Sequence, residues 1–290
     1  MAAVTVPAYH PAPPPPAAPR PRRRWWLTGV VVTWALVLTG LGVWSVRNDP
    51  PTVPEQRDIA AALPVLQRAT GVTLAAADAA GRVVTLGELS FDRDCALTPV
   101  REGVEATREI TVRVQPGQVP GTLEAIARAM PAGYAAKARH NEARTRYGLR
   151  ADAGEFVGVD TTADADATVF TLLVSTGCRP LADGVDLDPA PVAATEVPPA
   201  FTAALRALQP TAAEATASEV SCPNGGIART VTADEVIAPA DLGRALRGAV
   251  AGAVVVQSDP HMWAYRAGTV SVVVSDSEGR ARVDATTGCR

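Results

Sequence analysis

The sequence predicts an α+β fold behind one membrane-spanning helix. It reads as two diverged α-β-β-α-β-β-β units in tandem, each an antiparallel sheet with helices on one face and one disulfide. Three observations lead there. Residues 25–46 form a 22-residue stretch without a charge, four sequence anchors recur in one order beyond it, and four cysteines fall at equivalent places in that recurrence.

The apolar stretch WWLTGVVVTWALVLTGLGVWSV would be roughly 33 Å long as a helix, enough to cross a hydrocarbon core of about 30 Å. Trp25 and Trp26 mark one end and Trp44 the other, where indole rings sit at membrane–water interfaces. Arg20, Arg22, Arg23 and Arg24 precede it with no acidic residue before them. Positive residues stay inside, so the N-terminus is expected in the cytoplasm and the C-terminal body outside. A cleaved secretory signal would have a shorter apolar core and an A-x-A-like site, and 43–45 (Val-Trp-Ser) is a poor one. The Arg22-Arg23 pair matches a twin-arginine signal only loosely. No cysteine follows the stretch closely enough for a lipoprotein.

Upstream, Pro13–Pro16 are consecutive within a proline-rich segment, so 1–24 reads as a disordered cytoplasmic tail. Beyond the tail lie 23 basic and 30 acidic residues, a mildly acidic balance that argues against a nucleic-acid partner. Alanine and valine supply most of the 47% apolar fraction, so the core is expected to be built from small side chains.

The recurrence begins with an Ala/Leu-rich helix, at 59–68 and again at 201–209. A strand leading to cysteine follows, Glu88-Leu89-Ser90 before Cys95 and Glu219-Val220-Ser221 before Cys222. Next comes a proline-opened helix, at Pro120 and at Pro239, and both units close on the same residues, Thr176-Gly177-Cys178-Arg179 and Thr287-Gly288-Cys289-Arg290. Pro120 to Tyr147 and Pro239 to Tyr265 span 27 and 26 residues, while cysteine to proline spans 25 and 17. Loops absorb such differences at low cost and packed helices do not. Three strands are expected after the second helix of each unit. In the second they are 262–266, 269–275 and 281–286, with Val270, Val272 and Val274 on one face of the middle one. The expected organisation is tail 1–24, membrane helix 25–46, stalk 47–54, first unit 55–180, proline-rich linker 181–198 and second unit 199–290. A linker of that kind predicts that 196–290 folds alone.

No cysteine has a C-x-x-C partner, which argues against zinc or a redox pair. An even number outside the membrane points to disulfides, and the recurrence selects Cys95–Cys178 and Cys222–Cys289 as structural bridges. His261 lies in an aromatic and cationic run with Trp263, Tyr265 and Arg266. These four form the candidate interaction site, where His261 would serve as a general base or ligand. The bland reading of the same run is an edge strand filling its sheet. His140 sits in a basic run with Lys137, Arg139, Arg144, Arg146 and Arg150, which would meet anionic headgroups or wall polymers unless Glu155, Asp160, Asp164 and Asp166 neutralise it across a hairpin. The acids Asp183, Asp186 and Asp188 fail the calcium-loop pattern, since glycine is second and the twelfth position is Ala194. No motif names a catalytic residue, a metal ligand or a cofactor.

These readings describe a single-pass membrane protein, anchored in the bilayer through 25–46, whose outer body is a non-enzymatic binding or scaffolding module of the bacterial envelope. Its partner would be an envelope protein or wall polymer. The alternatives are a small hydrolase using histidine or carboxylate chemistry near His261, and a sensor ectodomain with a separate cytoplasmic partner.

Overall fold

The computed structural model describes residues 25–48, 57–98, 101–208 and 213–289. The tail, most of the stalk, Gln209 and Arg290 lie outside the described residues. The chain forms two compact units, Met1–Pro50 and Pro51–Arg290. In the first, helix α1 spans Trp25–Asn48, two residues beyond the predicted stretch. Its side chains from 25 to 44 are exposed, as a lipid-facing helix requires.

The body is mixed α+β with two antiparallel sheets. Helix α2 (Ile59–Ala77) opens it, capped by Asp58, whose carboxylate accepts from the Ala61 amide at 2.9 Å. Strands β1 (Val83–Thr98) and β2 (Arg101–Arg113) follow, then helix α3 (Val119–Ala129) and strands β3 (Lys137–His140), β4 (Arg146–Asp152), β5 (Gly158–Asp164) and β6 (Val169–Arg179). Beyond the proline-rich segment come β7 (Val192–Ala193), α4 (Pro199–Leu208), β8 (Thr216–Ser221), β9 (Ile227–Ile237) and α5 (Leu242–Leu246). The chain then closes with β10 (Val254–Asp259), β11 (Met262–Ala267), β12 (Val270–Ser277) and β13 (Arg280–Thr287).

The sheets run β1-β2-β6-β5-β4-β3 and β10-β11-β12-β13-β9-β8-β7. Read from the hairpin side, each follows the order first, second, sixth, fifth, fourth, third strand of its half, with β7 added outside β8. The expected three closing strands are therefore four. Strand β3 is masked in the sequence by its charges, and β10 lies between the proline-opened helix, α5, which ends at Leu246, and the first strand expected at 262. Helix α2 also runs nine residues past the expected end at 68, because Leu74, Ala76 and Ala77 are buried in the core. Packing there overrides the weak propensity of the Thr-Gly-Val-Thr stretch.

Alternation along β12 is as predicted. Val272 and Val274 join Phe201 of α4 and Leu242 and Leu246 of α5 in one cluster. The opposite face is buried as well: Ala264 and Val273 pack there with Val83 and Val256, beside a row of polar side chains. Arg266, Ser271, Thr286 and Thr230 are neighbours in one row across β11, β12, β13 and β9, and all four are buried. They meet β1, the edge of the first sheet. The outward amides of Val84 and Leu86 donate to Ser271 Oγ at 3.1 Å and Thr230 Oγ1 at 3.0 Å. An edge strand whose N–H groups would otherwise go unpaired is thereby satisfied by hydroxyls of the second sheet.

Whether the two halves pack together, which the sequence leaves open, is settled by these contacts. Val220, Cys222 and Ala228 of the β8–β9 hairpin belong to the same core cluster as α2 and the first sheet. The proline-rich segment does not hold two bodies apart. It is pinned by β7 on β8 and by ion pairs from Asp188 to Arg93 and from Glu196 to Arg229.

Gly71 lies where α2 crosses β8, and a Cβ built there would overlap the Ser221 carbonyl oxygen. In an isolated helix Gly→Ala gains about 1 kcal/mol. Gly71→Ala should instead cost about 1–3 kcal/mol by overpacking, read as a lower urea midpoint. A more stable variant would mean that α2 and β8 do not press together.

Candidate functional site

The four residues singled out around His261 are not brought together. His261 sits in the β10–β11 turn with its amide on Asp259 Oδ1 at 3.0 Å. Its ring is exposed, with Nδ1 3.5 Å from Asp276 Oδ2. Trp263 and Tyr265 point to the helical side of the second sheet. There Trp263 presses on Gly243, where a Cβ would come 2.9 Å from its ring. Tyr265 is fully buried and its hydroxyl has no hydrogen-bond partner among the described residues. Burial pushes that phenol up to about 12. Arg266 points the other way, into the interface with β1, and forms an ion pair with Asp78 at 2.6 Å, both side chains being at most 4% exposed. It also donates to the Arg82 carbonyl at 3.2 Å and Ser271 Oγ at 3.3 Å. The run alternates between two buried faces, as strand geometry demands.

The disulfides are Cys95–Cys178 and Cys222–Cys289, with Cα separations of 5.8 and 5.3 Å. The preceding threonines act alike: Thr176 Oγ1 accepts from the Ala106 amide and Thr287 Oγ1 from the Arg229 amide, at 3.0 and 3.1 Å. Thr176 does so at a bulge, beyond which Cys178 and Arg179 pair again with Glu105 and Val104, whereas Thr287 does so at the last pair of β13 with β9. The glycines differ. Gly177 has φ +61°, which favours glycine, whereas a Cβ on Gly288 would overlap the Asp78 carboxylate. Among the described residues no group of histidine, cysteine, aspartate and glutamate side chains is arranged to hold a metal.

The remaining candidate is the far edge of the first sheet. Strand β3 is its free edge, paired on one side only, with β4. Cross-strand partners share a face, so Lys137 and Arg139 lie on the same outer face as Arg150, Gly148 and Arg146, backed by Asp160 and Asp164 on β5. Two of these cations are neutralised as expected, Arg146 by Asp164 at 3.4 Å and Arg150 by Asp160 at 3.7 Å. Glu155 is used elsewhere, by Arg57 at 3.3 Å. Lys137, Arg139 and Arg144 have no ion pair among the described residues. Sequence reasoning located the run but not this division, since which acids reach it depends on the β4–β5 register.

Open grooves flank β3 on both faces. The helical side is lined by Ala127, Met130, Ala136 and Ala138, with Glu124 and Arg128 at the rim. The outer side is lined by Lys137, Arg139, Arg150, Tyr134 and Asp152. Asp152 is occupied in its own turn, accepting from the Gly154 amide at 2.9 Å. The arrangement presents positive charge beside free strand backbone, and it can bind an extended anion.

No protein-family model matches this chain, and no curated protein matches it. Among solved structures, it is similar to a DUF4853 family protein from Actinomyces odontolyticus, with 14% identity and a TM-score of 0.33, over 63% of this chain and 97% of that one. The di-domain ARO/CYC protein StfQ of the steffimycin biosynthetic pathway is more distant, with 10% identity and a TM-score of 0.15, over 78% of this chain and 80% of its own. At these scores neither likeness defines the fold or the function of this chain.

Proposed function

We propose that this chain is a membrane-anchored, non-enzymatic binding module of the bacterial cell envelope, and that the basic edge of its first sheet is the docking surface. In this reading residues 25–46 cross the membrane with the N-terminus cytoplasmic, and the disulfide-bonded body lies outside. The observation that carries the binding role is the pair of uncompensated cations, Lys137 and Arg139, on an open sheet edge between two grooves. Support for the placement comes from the apolar α1, the arginines before it, and two disulfides of a kind that persist in oxidising compartments. The common strand order and the matching roles of Thr176 and Thr287 support descent of the two halves from one duplicated unit.

Two measurements test the reading. Protease added to intact spheroplasts should remove the body and leave α1 with its tail in the membrane; a soluble protein beginning near residue 46 would refute the anchor. The full chain in neutral-lipid nanodiscs should bind inorganic polyphosphate, used as a probe of anion affinity. The double variant Lys137→Glu, Arg139→Glu should lose about tenfold or more in affinity, with both disulfides retained. Equal binding by the variant would remove this edge as the docking surface.

A further inference from the structure

We propose that the partner of the basic edge is an extended acidic peptide segment that adds to the first sheet as a strand beside β3. The proposal rests on the reading of this edge as a docking surface and names the chemistry it selects.

The backbone phase of β3 fixes what is on offer. The Asn141 amide donates to the Arg146 carbonyl at 3.1 Å, one step beyond the β3–β4 register of His140 with Tyr147. Inward-bonded positions alternate in an antiparallel pair, so Arg139 and Lys137 also bond inward to β4. The N–H and C=O groups of Ala138 and His140 consequently face the open side. A strand laid there closes backbone hydrogen bonds, the interaction that gives strand addition its affinity, and alternate side chains give it specificity. On the outer face the incoming side chains come opposite Lys137 and Arg139, which favours aspartate or glutamate at every second position. On the other face the intervening residues enter the groove of Ala127, Met130, Ala136 and Ala138, which suits small or branched apolar side chains. The selected pattern is acidic and apolar in strict alternation.

Charge also excludes a second copy of this chain as the occupant. Pairing β3 with another β3 would set Lys137 and Arg139 of one copy against Lys137 and Arg139 of the other, and like charges directly opposite one another destabilise a strand pair. The same cations thus guard the edge against self-association, as exposed edges commonly require, while leaving it open to an acidic strand.

The test uses the full chain in neutral-lipid nanodiscs and a fluorescent peptide of alternating glutamate and valine, about eight residues long, read by anisotropy. Its control is the same peptide with proline in place of valine, which keeps the charge but cannot pair as a strand. The first peptide should bind saturably and the control at least about tenfold more weakly. Ala138→Pro removes one outward N–H and no ladder bond, and should lose peptide binding while keeping polyphosphate binding. Lys137→Glu with Arg139→Glu should lose both. Equal binding of the two peptides, or Ala138→Pro binding the peptide like the parent, would overturn strand addition and leave an unspecific polyanion surface. If neither polyphosphate nor the peptide binds, the docking reading itself falls. Polyphosphate binding without peptide binding sinks only the present inference.

Discussion

Arg266→Ala is expected to lower stability by about 3–5 kcal/mol, the usual cost of stranding one partner of a buried ion pair. Asp78, its side chain only 2% exposed beneath Gly288, would lose the cation it faces. The carbonyl of Arg82 and the hydroxyl of Ser271 would lose a donor as well. The change acts on the seam between the halves, since Asp78 ends α2 and Arg266 lies on β11. Pulse proteolysis of the full chain in detergent micelles across a urea series reads the effect. The double variant with Asp78→Ala should cost less than the sum of the single changes, with a coupling of about 2 kcal/mol or more. A single-variant loss below about 1 kcal/mol, or simple additivity, would show that the pair does not hold the seam.

The largest effect is expected from cutting the body in two. Residues 196–290 expressed alone in an oxidising compartment should show neither cooperative melting nor dispersed amide resonances, contrary to what the proline-rich linker suggests from sequence. Val220, Cys222 and Ala228 pack into the core of the first half, and the fragment would expose them. It would also open the row of Arg266, Ser271, Thr286 and Thr230 that β1 covers. A piece of this size also buries a smaller fraction of its surface than the whole body does, and is correspondingly less stable. A fragment that melts cooperatively would show that the second cluster is self-sufficient and that the seam is a docking contact between independent domains.

Several elements were legible in the chain because a local pattern determines them. The disulfide pairing followed from the repeated Thr-Gly-Cys-Arg endings, since equivalent strands return to equivalent hairpins. The Pro223-Asn224-Gly225-Gly226 sequence suits a tight turn between two strands and forms one, Gly225 adopting φ +88°. Others were illegible for physical reasons. Lys137-Ala138-Arg139-His140 has no β-forming pattern, and it is a strand only because β4 offers it a ladder. The valines of β10 did carry a signal, a β-branched run two residues past Gly252, but it lies before the three strands expected from 262 onward. Of the candidate site, the basic run was visible, but which cations remain unpaired was not. That depends on a register that sets Arg146 opposite Asp164 and Arg150 opposite Asp160.

By itself the sequence determined the apolar helix, the order of most elements, the cysteine pairs and the alternation that gives each strand one apolar face. These depend on residues near one another in the chain or on a repeated spacing. Only the tertiary structure decided what covers the other face of the second sheet. Alternation sets Ser271 on the side of β12 away from Val270, Val272 and Val274 without saying what meets it, or what meets Thr230, Thr286 and Arg266 in the same row. They are buried because the edge amides of β1 need acceptors and Asp78 needs a cation, and both needs are met by residues more than a hundred positions away. Hydrogen-bond satisfaction at long range leaves no periodic trace in a sequence.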